Sequence, residues 1–340
     1  MERTPPTAIP FRFSGSAGEY FRIWIVNLAL SLLTLGIYSA WAKVRRLKYF
    51  YSHTRLGQSG FDYLADPVAV LKGRVIAVVV VVIYSLLSHF SPVAGAVIGV
   101  MIGGAVPVLV VRTLRFRTRN TAYRGLRFDF KGSVSGAVGP YLGYFLLIPF
   151  TLGIIYPFIV ARQRLFQFNG FRYGQSAFTL DLSTGSVYVI FLKALGLLLP
   201  PLAAAFGVMA GLRQQGLQPP PTMGVGLSLL YLLALLLTSS YLQSALTNCV
   251  WNNLSLGPHR FHSTLRFLPL LWINFSNAVA IMLSLGLMFP WTRVRTVRYR
   301  VENLTLLVQG DLNEFLAAET SAVRATGEEL ADFLDVDIAL

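Results

Sequence analysis

Residues 75–87 read VIAVVVVVIYSLL and residues 93–111 read VAGAVIGVMIGGAVPVLVV, with no charge in either run. In hydrocarbon nothing but the chain itself can satisfy a backbone N–H or C=O, and about 20 mostly apolar residues in a helix do so across a bilayer. Working outward from these two runs, segments 20–42, 137–161, 194–212, 224–246 and 267–290 have the same character, with one charge at most in each. That makes seven candidate segments. Over all 340 residues, 54% are hydrophobic and 13% charged, against about 25% charged in an average soluble domain. A soluble globular protein is excluded. Residues 1–19, MERTPPTAIPFRFSGSAGE, lack the basic start, apolar centre and cleavage site of a secretory signal. The first apolar segment is therefore expected to act as an uncleaved insertion signal.

Charge is unevenly placed. Residues 1–306 hold 28 of the 29 Lys and Arg and 7 of the 15 Asp and Glu, whereas residues 307–340 hold 1 and 8. The cations sit beside the apolar segments, as expected of loops retained on the cytoplasmic side. A basic patch on a soluble fold would have suggested nucleic acid, and that partner is not expected here. The expected partner is the lipid bilayer, through its anionic phospholipid headgroups; assembly with further copies of the chain is left open.

A fixed-period self-similarity organises the chain. Residues 11–61 slide by 117 onto 128–178 without a gap, so that Phe11, Phe13, Gly15 and Ser16 meet Phe128, Phe130, Gly132 and Ser133. Thr34-Leu35-Gly36-Ile37 meets Thr151-Leu152-Gly153-Ile154, Arg45 meets Arg162, and Gly57-Gln58-Ser59 meets Gly174-Gln175-Ser176. A third, more worn copy lies 250 residues from the first. There Asn27, Leu35, Gly36, Trp41, Arg45 and Tyr49 meet Asn277, Leu285, Gly286, Trp291, Arg295 and Tyr299. The expected organisation is an N-terminal tail (1–10), repeat 1 (11–111), repeat 2 (123–245), a truncated repeat 3 (257–306) and an acidic cytoplasmic tail (307–340).

Each copy opens with an alternating segment of strand period, followed by an apolar helix ending at Leu-Gly. Gly36, Gly153 and Gly286 are expected at C′, closing that helix in αL. A new helix then starts near Ala40-Trp41, Pro157-Phe158 and Pro290-Trp291, proline having no amide to leave unsatisfied there. Its cations and aromatics (KVRRLKYFY in copy one) suit a membrane interface. The second alternating stretch, GQSGFDY or GQSAFTL, is expected to pair with the opening strand in a small sheet outside the bilayer. Gly95/Gly99/Gly103, Gly139/Gly143 and Gly207/Gly211 recur every four residues, a spacing that lets helices pack closely.

Phe-x-Phe-x-Gly, then Thr34-Leu-Gly-Ile-Tyr-Ser-Ala-Trp-Ala-Lys-Val-Arg-Arg46, then Phe61-Asp-Tyr63 and Asp66-Pro67 with Lys72-Gly-Arg74, resembles the YjgN family of bacterial inner-membrane proteins. The ending Gly327-Glu-Glu-Leu-Ala-Asp-Phe-Leu-Asp-Val-Asp-Ile338 is similar too. Ala40 departs from that pattern, which usually has proline, and copy three lacks Gly-Gln-Ser. The resemblance implies a multi-pass inner-membrane protein of unknown molecular function and supplies no catalytic residues.

The residues themselves offer little chemistry. His259 and His262 stand three apart, but a metal needs further ligands and only Cys249 is near; a solvated loop beside Pro258 is the expectation. The single cysteine excludes an internal disulfide. No Gly-x-Ser-x-Gly elbow or phosphate loop is present, so an enzyme, a metal site and a cofactor are not expected. Asn27, Asn274 and Asn277 are the polar residues inside apolar segments, expected to hydrogen-bond between helices or to line a pathway. Prolines 140, 149 and 157 could break the fourth segment, and Pro200-Pro201 the fifth. In the tail, Thr326 and Glu329 have capping-box spacing, and docking on the basic loops at 43–48 or 112–131, or binding a partner, is an alternative to a solvated tail.

The fold class expected is an all-α membrane protein, a helical bundle of six to seven transmembrane segments built from tandem repeats, with small extramembrane β elements. Two topologies stay open. If all seven segments cross, repeats 1 and 2 are inverted, the architecture of many secondary transporters. If the Leu-Gly-Ile segments of copies one and two enter and return, the repeats are parallel and every Arg-rich loop stays on one side. Two functions stay open with them: transport of a small solute or lipid handling, and a non-transporting role in organising or sensing the membrane.

Overall fold

The computed structural model describes residues 6–218 and 220–323. Its centre is a closed antiparallel barrel of ten strands: β1 (Thr7–Phe13), β2 (Thr54–Leu56), β3 (Ser59–Tyr63), β4 (Thr121–Tyr123), β5 (Leu126–Phe130), β6 (Phe171–Tyr173), β7 (Ser176–Leu180), β8 (Leu254–Leu256), β9 (His259–Ser263) and β10 (Leu304–Val308). Neighbours along the chain pair in turn, and β1 pairs with β10 to close the ring, Thr7 opposite Val308 and Pro10 opposite Thr305. The expected pairing of the opening strand with the Gly-Gln-Ser stretch is not formed: β1 meets β2, Phe11 opposite Leu56, and β2 stands between it and β3, Arg55 opposite Gly60, because the tight turn at Gly57 folds β3 back on β2 first. The β1–β2 pairing is one seam of a complete barrel. The all-α expectation is therefore overturned, because strands of three to seven residues leave only short alternating traces in the sequence and closure rests on the pairing of distant segments.

Helices leave the barrel in pairs, all from one end. The pairs are α1 (Ala17–Leu33) with α2 (Ser39–His53), α3 (Pro67–Phe90) with α4 (Pro92–Arg119), and α5 (Val134–Tyr141), extended by a 3-10 turn over Gly143–Leu147, with α6 (Tyr156–Gly170). After them come α7 (Thr184–Gln214) with α8 (Pro221–Asn252), and α9 (Phe267–Leu283) with α10 (Phe289–Glu302). Each pair starts on one strand and returns to the next, so all five lie on the same side of the barrel. They follow one another in chain order, with α10 back against α1. At the other end, two-residue turns join β2 to β3, β4 to β5, β6 to β7 and β8 to β9. Positive φ at Gly57, Gly174 and Gly257 suits the right-handed twist of such hairpins. A last helix, α11 (312–323), lies over that end.

Four helices among the described residues, α3, α4, α7 and α8, are long and apolar enough to cross a membrane. This corrects the count of six to seven. Segments 20–42, 137–161 and 267–290 hold about 20 apolar residues each, yet each turns back on itself. In α1 the turn is a Schellman closure: Gly36 N–H donates to the Ser31 carbonyl at 2.7 Å, and Leu35 N–H to that of Leu32 at 3.2 Å. Gly286 and Leu285 repeat it on Ile281 and Met282. The C′ residue is thus leucine, at φ 49° in Leu35, Leu152 and Leu285, with the glycine one place later than the sequence suggested. The fourth segment is broken after Tyr141, whereas α7 runs through Pro200 and Pro201 unbroken.

The glycine pattern packs only in part. A Cβ on Gly95 would strike Ser88 of α3, but nothing lies within 4 Å of one on Gly103, Gly207 or Gly211.

Candidate functional site

The lumen of the barrel is the most distinctive site of the molecule. Strand side chains alternate, so every second residue points inward. The registers place one inward residue from each of the ten strands in a single layer. Phe11, Phe61, Phe128, Phe178 and Phe261 supply every other place. Between them stand their cross-strand partners Leu56, Tyr123, Tyr173, Leu256 and Leu306. Successive phenylalanine rings lie 6.3, 6.5, 6.3 and 6.1 Å apart, from Phe11 round to Phe261. The two tyrosine hydroxyls are spent on the wall itself: Tyr123 donates to the Leu56 carbonyl (2.8 Å) and Tyr173 to that of Tyr123 (3.0 Å). Burial raises the Tyr173 hydroxyl well above its ordinary value.

About eight strands make a barrel that side chains just fill. Ten leave room. A cavity of about 160 Å3 remains inside the ring, lined by the ring residues together with Trp251, His259 and α11. An apolar space of that size stays dry and accepts a small apolar ligand. A second cavity, of about 430 Å3, lies at the helix end of the barrel, among residues such as Tyr51 of α2, Leu114 of α4 and Phe168 of α6. Phe61, Phe128, Phe178 and Trp251 line both.

At the far end α11 places Leu312, Phe315 and Leu316 over the lumen. Its hold is polar at the rim. Glu319 accepts from the backbone N–H of Gln175 (2.6 Å) and Ser176 (3.2 Å), and from the Ser176 hydroxyl (2.6 Å). Arg124 in the β4–β5 turn donates to Asn313 at 2.7 Å. Of the docking alternatives for the acidic tail, the structure shows a helix on the barrel rim that reaches Arg124 inside the basic stretch 112–131. The expected capping box at Thr326 and Glu329 lies outside the described residues.

His259 is on β9 and almost wholly buried, with His262 exposed on the opposite face. A strand has a period of two, so residues three apart diverge, and the solvated-loop expectation is corrected. His259 Nδ1 accepts from Gln309 N–H at 3.2 Å, Nε2 has no hydrogen-bond partner, and the ring meets Phe315 edge-on at 4.5 Å. Burial pushes its imidazole below the ordinary value of 6.5. Among the described residues no group of three or more His, Cys, Asp or Glu could hold a metal ion.

The residues singled out in the sequence lie elsewhere, in the short hairpins. Gly36, Gly153 and Gly286 stand at the hairpin turns. Pro157 and Pro290 are at the second position of α6 and α10, and Ala40 takes the same place in α2. Arg162 lies over the Phe158 ring and Arg295 over Trp291, both at 5.0 Å. Arg45 is exposed, and Trp41 stacks on Tyr38. Asn277 donates across the hairpin to Thr296 at 3.0 Å, and Asn274 donates to Ser240 of α8 at 2.9 Å. Asn27 is buried beside α2 with its Oδ1 unpartnered. None of these residues reaches the lumen. The lumen was missed because its signal is spread out, in the short runs Phe11-x-Phe13, Phe61-x-Tyr63, Phe128-x-Phe130, Phe178-x-Leu180 and Phe261-x-Ser263, the last four beside tight turns.

A family described as "Bacterial protein of unknown function (DUF898)" matches residues 8–333. The chain belongs to this family. An inner membrane protein named YjgN from Salmonella typhimurium (strain LT2) is 26% identical over 351 residues, covering 88% of this chain and 88% of that one. The proteins of the same name from Escherichia coli O157:H7 and strain K12 are 25% and 23% identical over 364 residues, each covering 89% of both chains. No solved structure matches. The relatives are inner membrane proteins by name, and four helices of this chain are long and apolar enough to cross a membrane.

Proposed function

We propose that this protein handles lipid, taking the apolar part of a membrane lipid into the barrel. The observation that carries this reading is the aromatic lumen, shut by α11 at its far end and sharing four side chains with a larger cavity among the helices. An acyl chain leaving the bilayer meets that larger cavity first, and only one layer of rings separates it from the lumen. Burying methylenes there is favourable by about 0.8 kcal/mol each. The three short hairpins and two spanning pairs are read as copies of one unit in parallel orientation, holding the barrel against one leaflet. The cations on α2, α6 and α10 put that leaflet on the cytoplasmic side, and with it the C-terminus. Transport of a small solute receives less support, because the spanning pairs α3–α4 and α7–α8 are set apart by intervening short hairpins.

The test is photo-cross-linking in nanodiscs with a fatty acid that carries a diazirine on its chain. Cross-links on peptides containing Phe61 or Phe178, both on barrel strands, reduced by Leu56→Trp, are expected. Cross-links confined to α3, α4, α7 and α8 would sink the proposal. A membrane-organising role is the second reading, favoured by the hairpin tips. Leu35, Leu152 and Leu285 are 96%, 91% and 95% exposed, three wedges entering from one side. Vesicle tubulation by the purified protein would speak for it.

A further inference from the structure

A separate cavity of about 220 Å3 lies between α1, α2 and the start of α3, closed on one side by Phe289 of α10. Its polar lining is Asn27, Ser31, Ser39, Lys43, Arg46 and Arg74, which includes three cations and no carboxylate. The ion pairs found among the described residues join Glu19 to His53 and Asp129 to Arg119 and Lys131, and none involves these three cations. Arg74 donates to the Ser39 hydroxyl, so its guanidinium is turned into the cavity wall. Like charges gathered this closely beside lipid are poorly screened, and a resident anion would relieve them.

The third hairpin shows what distinguishes the first. There Asn277 donates to the Thr292 carbonyl and to the Thr296 hydroxyl. At the equivalent positions the first hairpin carries Ala42 and Arg46, so the hydroxyl that would meet Asn27 is replaced by a cation. Asn27 is 7% exposed and lines the cavity beside that cation. Depth agrees with an interfacial ligand. At 1.5 Å per residue, Lys43 and Arg46 lie about 6 and 10 Å along α2 from its start at Ser39 beside the tip, and their long side chains extend that reach to about half the thickness of the hydrocarbon core. A tip at the bilayer midplane therefore sets these cations at the phosphate level of one leaflet.

We propose that this cavity binds the phosphate group of an anionic phospholipid. It stands whether or not the lumen holds an acyl chain, since no residue is shared between the two. The full chain is placed in phosphatidylcholine nanodiscs containing a minor fraction of phosphatidylglycerol, and the lipid retained after detergent exchange is read by native mass spectrometry. Phosphatidylglycerol should be held in preference to phosphatidylcholine. Lys43→Gln with Arg74→Gln should lower its retention by about tenfold, and Arg45→Gln, on the same helix but outside the cavity, should not. Asn27→Asp keeps every cation and supplies an internal carboxylate; it too should displace the lipid, which separates loss of the site from misfolding. An equal loss in Arg45→Gln, or no preference between the lipids, overturns the proposal. Displacement by inorganic phosphate without a lipid preference assigns the site to a soluble phosphate and overturns the lipid source.

Discussion

Leu35, Leu152 and Leu285 adopt φ 49°, a left-handed conformation that costs a residue with a Cβ about 1–2 kcal/mol. In water an exposed leucine would gain nothing for that cost, whereas in hydrocarbon the tip is where an apolar side chain belongs. The glycine that follows is more constrained still, at φ 92° in Gly286. Gly286→Ala should destabilise the protein by about 1 kcal/mol, read as a lower thermal midpoint in detergent, while Leu285→Asn, a type that tolerates αL, should leave the midpoint nearly unchanged. His259 gives a second test at this scale. Its imidazole is held below 6.5 when α11 is docked, so an undocked state takes up a proton first as the pH falls. The docking contribution is full above about pH 6.5 and is lost progressively below it. Hydrogen-exchange protection over 312–323, relative to the intrinsic amide rate at each pH, should be lower at about pH 5.5 than at about pH 7.5, and His259→Gln should abolish the difference. The sequence showed the Leu-Gly turn but placed αL on the glycine, because glycine preference is local while the reward for leucine comes from the surrounding lipid.

Apolar segments of similar length took two different forms. Residues 20–42 hold most of α1, its turn and the start of α2, a returning hairpin, whereas the 24 residues of α3 form a span. The apolar run alone did not separate them; the hydrogen bonds of the turn and the interfacial cations of α2 decide. The strand anticipated in GQSGFDY is present, but its partner was misjudged: the tight turn pairs β3 with β2, and the opening strand lies on the far side of β2. For α11 the decisive residue is Glu319, which satisfies the turn after β6. A Cβ on Gly174 would collide with that carboxylate, so this turn needs glycine for space as well as for φ. Glu319→Ala should release the helix, giving cleavage by limited proteolysis between Gln309 and Phe315 at least several-fold faster, with the barrel fragment intact.

For the whole molecule, the prediction is one of sidedness. In a Cys249→Ser background, Gln58→Cys and Pro258→Cys sit in barrel turns, and Ser91→Cys joins α3 to α4. A membrane-impermeant thiol reagent on spheroplasts should label position 91 from outside and the other two only after lysis; labelling of 58 or 258 from outside would invert the proposed orientation. The membrane class was plain from composition, but closure was not, because β1 and β10 lie at opposite ends of the described chain and no local pattern links them. That seam also sets a timetable. At a synthesis rate of about 5–20 residues per second, β1 waits roughly 15–60 s for its partner to be made. Throughout that interval the nascent chain carries an open strand edge next to a membrane crowded with other inserting chains. Pro10 withholds one donor from that edge, a guard against mispairing whose value ends once the last strand arrives.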